Sequence, residues 1–414
     1  MNNKGVPVLM VVWKFSRKNL LLLGLAFLGT AFLAAGIFTG EKENHRPADS
    51  GYRRVEGYPP LVYLPDYTRG PAIRAGAAIL VEAVSGMILY AKNEHQRRAP
   101  ASTTKILTAV VALEKGDLDD IVTVSRRAAR TRGSSLWLKP GDKLTLKELL
   151  EGTMLRSGND GSVALAEHIA GSERNFVLMM NKKAKEIGAL NSNFQNPHGL
   201  RAPSHYSTAY DLVRLTRYAL HKPEFARMVA AREEAVEWYQ GEKTRMVRNT
   251  NRLLWSFAGA DGVKTGTTYE AGYCLVASAT RDGRRFISVV LNSPDRWGES
   301  ARLLEYGFNN FTLELMAGPE TPVAKVEIPG GWPKEVGVYP RQPLMAVIPK
   351  GEEEYVEKRV YLYSKALVPP VKPGTVAGEV RFFFKGEEVS RVDLIVMNRV
   401  EKDSWRRKLR RGIW

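Results

Sequence analysis

Residues 101–114 read ASTTKILTAVVALE, and the fold turns on this stretch. Between Ser102 and Glu114 the residues Ile106, Leu107, Val110, Val111 and Leu113 are apolar and cover most of a helix's circumference. A helix apolar nearly all round belongs deep in a domain. Working outward towards the N-terminus, the apolar run Ala77–Val84, the turn pair Ser85-Gly86 and Met87–Ala91 predict a β-hairpin. In the other direction Thr145 and Glu148 form a capping box that opens a helix to about Leu155. Asn159 or Asp160 is placed to cap a second helix closed by Gly171, and Ser172 a third closed by Gly188. From Asp261 to Asn292 apolar runs return. Tyr273–Thr280 and Phe286–Leu291 predict adjacent strands joined by the turn Arg281–Arg284, and Leu303–Phe311 reads as helical. Strands enclosing a helical subregion make this an α/β (α+β) domain with an antiparallel sheet.

The character changes after Met316. Short alternating segments broken by Pro329-Gly330-Gly331, Lys350-Gly351, Lys372-Pro373-Gly374 and Lys385-Gly386 predict a small all-β domain over residues 317–397. Residues 398–414 carry Arg399, Lys402, Arg406, Arg407, Lys408, Arg410 and Arg411, with Trp405, Leu409 and Ile413 as one narrow apolar stripe. A basic helix of that pattern suits an anionic membrane surface.

At the other end Lys4, Lys14, Arg17 and Lys18 precede a charge-free, largely apolar run over residues 19–40. Residues 1–40 are therefore a signal peptide, with Ala34-Ala35-Gly36 as cleavage site, or a membrane anchor. Basic residues ahead of the run keep that side in the cytoplasm, so all that follows lies on the extracytoplasmic face of the cell membrane. The proline-rich residues 41–75 read as a spacer, and residues 76–315 as the principal domain.

Sixty-one Lys and Arg against forty-four Asp and Glu give a net charge of +17, which favours anionic partners. Nucleic acid is excluded among them, because the chain is exported and holds no basic module interleaved with aromatics. Cys274 stands alone, so no internal disulfide exists, and its apolar surroundings mark it as a small core residue. The six histidines show no metal-ligand spacing, and His168 and His198 read as structural; neither metal nor cofactor is expected.

Chemistry concentrates in three short motifs, each present once: Ser102-Thr103-Thr104-Lys105, Ser157-Gly158-Asn159 and Lys264-Thr265-Gly266. Ser102 and Lys105 stand three residues apart on a helix and share a face. A serine at a helix start also has free backbone N–H groups and the dipole's positive end nearby, which favour a developing oxyanion. The second motif lies on a turn between helices, and the third just before the strand at Tyr273–Thr280. A serine hydroxyl needs a base to take its proton, and a lysine kept neutral by burial and a neighbouring cation can serve. Lys105 suits the base and Lys264 the cation.

S-x-x-K, S-x-N and K-T-G in that order form the motif set of penicillin-binding proteins and class A β-lactamases. The surrounding stretches ASTTKILTA (101–109), NPHGL (196–200), TAYDL (208–212) and DGVKTGTTYEAGYCLVASA (261–279) closely resemble the low-molecular-mass D-Ala-D-Ala carboxypeptidases of the DacA/DacF type. The resemblance runs from about Gly76 to the C-terminus and implies a penicillin-binding/β-lactamase-like transpeptidase domain followed by a β domain and an amphipathic tail. It implies that Ser102 attacks the penultimate D-Ala of a peptidoglycan stem peptide, with β-lactam antibiotics as covalent inhibitors. Backbone N–H groups of Ser102 and Thr267 then hold the oxyanion, and Ser157 relays a proton to the departing D-Ala. Asn159 bonds the substrate amide, while Lys264, Thr265 and Arg296 receive the terminal carboxylate, with Gly266 completing the motif. A β-lactamase of class A needs a glutamate roughly 35 residues beyond S-x-N for deacylation; that place holds Asn193, Phe194, Gln195 and Asn196. A scaffold with vestigial catalysis would be expected to lack one of Ser102, Lys105, Ser157, Asn159 or Lys264. An endopeptidase acting on cross-links remains a variant within the class.

Overall fold

The early hairpin and the late apolar runs, far apart in sequence, share one sheet. The computed structural model describes residues 8–14, 60–65, 70–241, 243–363 and 367–403. It divides into two compact units, one formed by Val55–Phe311 and the other by Met1–Arg54 with Thr312–Trp414. In the Val55–Phe311 unit the sheet order is Val62–Tyr63, Met87–Lys92, Ala77–Glu82, Arg284–Leu291, Gly272–Arg281 and Ala260–Thr268. All pairings are antiparallel except that of the short Val62–Tyr63. Within the tight turn Arg281–Arg284, Asp282 and Gly283 both have positive φ, 50° and 74°. An Asp-Gly pair tolerates that geometry, and its twist suits the hairpin.

The helix expected from Ser102 is split. A 3-10 turn covers Ala101–Thr104, closed by the Thr103 N–H donating to the Pro100 carbonyl at 3.2 Å, and the α-helix proper runs Lys105–Lys115. Its residues from Lys105 to Ala112 are buried, as its all-round apolar pattern required. The helix Leu146–Arg156 starts on Thr145, whose side chain accepts from the Glu148 N–H. Ser172 likewise caps Glu173–Ile187, and Gly188 closes it with φ 88°. Three expectations are corrected. Neither Asn159 nor Asp160 caps Asn159–Ala170: the N-cap is Gly158 with no side-chain bond, because both polar side chains are engaged elsewhere. The late helix is Arg296–Asn310, longer than expected, because Asp295 caps it by accepting from the Gly298 N–H, and Phe311 already opens a strand. Finally, Lys264-Thr265-Gly266 precedes the strand Gly272–Arg281 as expected but is not an approach to it: the motif itself lies inside a strand, Ala260–Thr268, at the sheet edge.

The second unit is an antiparallel sheet ordered Val8–Lys14, Val356–Tyr363, Val376–Phe384, Glu387–Val396, Glu335–Pro340 and Ala324–Glu327, accompanied by small two-stranded sheets. Alternate residues such as Val380, Phe382 and Phe384 point into its core. Val8–Lys14, read as the flank of an export segment, forms a strand with Val8 opposite Tyr363. The apolar run Leu20–Phe38 and the tail residues Trp405, Leu409 and Ile413 lie outside the described residues. Among the described residues no helix is long and apolar enough to cross a membrane.

Candidate active site

Within the Val55–Phe311 unit the three motifs converge. Lys105, with its side chain wholly buried, donates from Nζ to Ser102 Oγ at 3.1 Å, to Asn159 Oδ1 at 2.7 Å and to the His198 carbonyl at 2.9 Å. The first bond is the i, i+3 relation read from sequence; the other two join residues 54 and 93 positions away. Ser102 Oγ also reaches the His198 carbonyl at 3.4 Å. Ser157, nearly buried, occupies the left-handed residue that ends Leu146–Arg156, with φ 66°. That conformation turns the chain sharply, so that Asn159 starts the next helix beside Lys105.

Gly266 explains how closely the edge strand approaches. A Cβ there would lie 3.0 Å from the Pro100 carbonyl oxygen and 3.1 Å from the Ser102 nitrogen. A side chain there would push the two backbones apart by a few tenths of an ångström, which glycine avoids. Lys264, two residues earlier, is 1% exposed and donates to the Thr265 carbonyl at 3.3 Å. Thr265 Oγ1 shares a hydrogen bond of 2.7 Å with Thr250 Oγ1. Arg296 donates from Nη1 to the Gly266 carbonyl at 3.0 Å and to Thr267 Oγ1 at 2.7 Å, and packs over Tyr273 and Trp297. The motif's far end therefore carries a fixed cation.

Electrostatics follow from burial. Desolvation holds the Lys105 amine well below its ordinary pKa, the positive charge of Lys264 lowers it further, and Asp160 opposes both. Lys264 is itself lowered to about 7, by burial first and by Arg296 second. Burial likewise lowers the Arg296 guanidinium. A buried amine that is easily neutral, 3.1 Å from a serine hydroxyl, can take its proton.

Several participants were not legible in the sequence. His198 was read as structural, yet its carbonyl accepts from Lys105. The Asn196 side chain accepts from the His198 and Gly199 N–H groups at 3.3 and 2.7 Å and donates to the Leu200 carbonyl at 2.8 Å, tying that turn. Gly199, at φ 89°, lies so near that a Cβ would come 1.9 Å from the Ala101 carbonyl oxygen. Burial lowers the His198 imidazole to about 3, with Lys105 adding to the effect, so the ring is neutral at physiological pH. Asp160 accepts from the Leu136 and Leu138 N–H groups and from Ser135 Oγ, locking residues 134–138 beside the S-x-N turn. Both ends of the Asn159 amide have protein partners, since Nδ2 donates to the Arg132 carbonyl at 2.7 Å. The Pro-His-Gly turn and the Gly-Asn-Asp sequence were the available signals, but neither says what it faces.

Known proteins match the chain over most of its length. Residues 66–295 match the family model of peptidase S11, D-alanyl-D-alanine carboxypeptidase, and residues 311–402 that of the penicillin-binding protein 5 C-terminal domain. D-alanyl-D-alanine carboxypeptidase DacF of Bacillus subtilis is 37% identical over 76% of this chain and 83% of its own. DacC of Escherichia coli is 36% identical over 83% and 89% respectively. Among solved structures, penicillin-binding protein 5 of Haemophilus influenzae superposes with a TM-score of 0.72 at 34% identity, covering 81% of this chain and 99% of its own.

Proposed function

Because the chain belongs to the S11 family of serine-type D-alanyl-D-alanine carboxypeptidases, we propose that it removes the terminal D-alanine from peptidoglycan stem pentapeptides through an acyl-enzyme on Ser102. The observation that carries this reading is the buried, depressed Lys105 amine bonded to Ser102 Oγ.

Neutral Lys105 accepts the Ser102 proton along the 3.1 Å contact as Oγ attacks the carbonyl carbon of the penultimate D-Ala. The oxyanion is held by backbone N–H groups of Ser102 and Thr267, fixed dipoles that need no reorganisation. Collapse breaks the C–N bond, and Ser157 passes a proton from Lys105 to the leaving amine. Water then attacks the ester and restores Ser102. The terminal carboxylate is received by Lys264, Thr265 and Arg296, the last held against the Gly266–Thr267 backbone. Asn159 positions Lys105 as well as the substrate amide. A β-lactam presents the same carboxylate and acyl carbon and would be trapped as the Ser102 ester.

The apolar run Leu20–Phe38 and the basic tail 398–414 support attachment at the extracytoplasmic face of the membrane. Mass spectrometry of a stem pentapeptide incubated with the enzyme tests the activity. Loss of one D-alanine is expected, together with its absence for Ser102→Ala. Turnover by Ser102→Ala would overturn the assignment.

A further inference from the structure

Beyond the motif residues, one built feature on the segment that bonds to Asn159 has no role in the chemistry. Trp137 is 52% exposed and has φ 58°, a left-handed backbone that bulky residues rarely adopt. The segment around it is held firmly, with Leu136 and Leu138 N–H donating to Asp160 and the Ser134 carbonyl accepting from the Asn159 N–H at 2.7 Å. Its exposure is therefore imposed by the site. Two guanidiniums lie over the indole, those of Arg156 and Arg245, each 4.7 Å from the ring centroid. Arg245 is also fixed by donating from Nη1 to the Leu136 carbonyl at 2.8 Å. Arg156 immediately precedes Ser157. Among the described residues no carboxylate pairs with either arginine, whereas Arg127, Arg227, Arg281 and Arg285 in the same unit are all paired.

Stacking orders these cations without neutralising them, which leaves a pre-oriented anion receptor. The cations suited to the terminal carboxylate, Lys264 and Arg296, belong to the edge-strand side. Arg156 and Arg245 are instead tied to the wall formed by residues 132–138, which bonds to Asn159. We infer that Trp137, Arg156 and Arg245 form a subsite for a carboxylate on the acyl arm of the substrate, upstream of the scissile bond. The enzyme thus selects stem peptides whose residue before D-Ala-D-Ala carries a free acid over those in which it is amidated. This rests on the carboxypeptidase reading above.

The test uses the full chain and two synthetic peptides ending in D-Ala-D-Ala, identical except for a carboxylate or a carboxamide on the side chain of the preceding residue. At low salt kcat/KM should favour the acid on the order of tenfold, the worth of one charge-assisted contact. The preference should fall to about one in Arg156→Gln and in Arg245→Gln, and in the unaltered enzyme as high salt screens the contact. Lys185→Gln, an equal charge change on an exposed face of the helix Glu173–Ile187, should retain it. A ratio near one in the unaltered enzyme overturns the subsite and leaves the carboxypeptidase reading intact. A preference surviving both arginine substitutions, or lost equally in Lys185→Gln, also overturns it. Should a variant fail to fold, shown by loss of penicillin labelling, the salt titration of the unaltered enzyme decides. Failure to cleave either peptide would sink the activity itself.

Discussion

Replacing Lys264 by Met should stabilise the protein at neutral pH while removing its activity. Lys264 is 1% exposed, and its pKa falls from 10.5 to about 7. At about 1.36 kcal/mol per pKa unit, a shift of that size opposes folding by on the order of 4 kcal/mol at pH 7. The sign follows from proton counts. The unfolded chain keeps the ammonium up to pH 10.5, whereas the folded site releases its proton near 7. Unfolding therefore takes up a proton between those values, and the wild-type protein gains stability as pH rises through that window. Below about pH 7 the penalty is present in full; above 10.5 it vanishes. Met keeps the apolar stem, adds no charge and gives up only the 3.3 Å bond to the Thr265 carbonyl. Thermal unfolding of the two proteins should differ at pH 7 by about 8–16 °C, at about 2–4 °C per kcal/mol for a unit of this size. The gap should narrow steadily towards pH 10. A Lys264→Met protein no more stable than wild type at pH 7, or a gap indifferent to pH, would refute the claim that a buried, costly amine is retained for function.

Lys105→Arg puts a permanent cation where a neutral amine must accept the Ser102 proton, so penicillin acylation should slow on the order of a thousandfold, read by fluorescent labelling. Gly199→Ala forces a methyl onto the Ala101 carbonyl at a φ of 89°, and should destabilise by more than about 2 kcal/mol and abolish labelling; denaturant midpoints and gel fluorescence check both. In kcat/KM the acid limb should reflect protonation of Lys105 and the alkaline limb loss of the Lys264 charge above about 7; the two limbs belong to the coupled pair, and a flat profile across pH 6–9 would contradict both roles.

Sequence by itself determined what depends on short spacing. Ser102 and Lys105 share a face because a helical turn places them so, and Thr145 and Ser172 announce helix starts because a cap acts within three residues. Apolar runs around Asp282-Gly283 identified the hairpin, since turn chemistry is local. The order of S-x-x-K, S-x-N and K-T-G pointed to penicillin-binding proteins or class A β-lactamases, and the stretches around the motifs narrowed that to the family. What only the tertiary structure decided depends on contacts between distant segments. Asn159 looked like a cap until Lys105, 54 residues away, took its oxygen. K-T-G looked like the approach to a strand, because its lysine and glycines interrupt the apolar pattern; in the folded chain they are the strand, spaced by the need to bring Gly266 against the Ser102 backbone. The depressed amines of Lys105 and Lys264 likewise exist only once the core closes, because desolvation is a property of the surroundings and not of the residue.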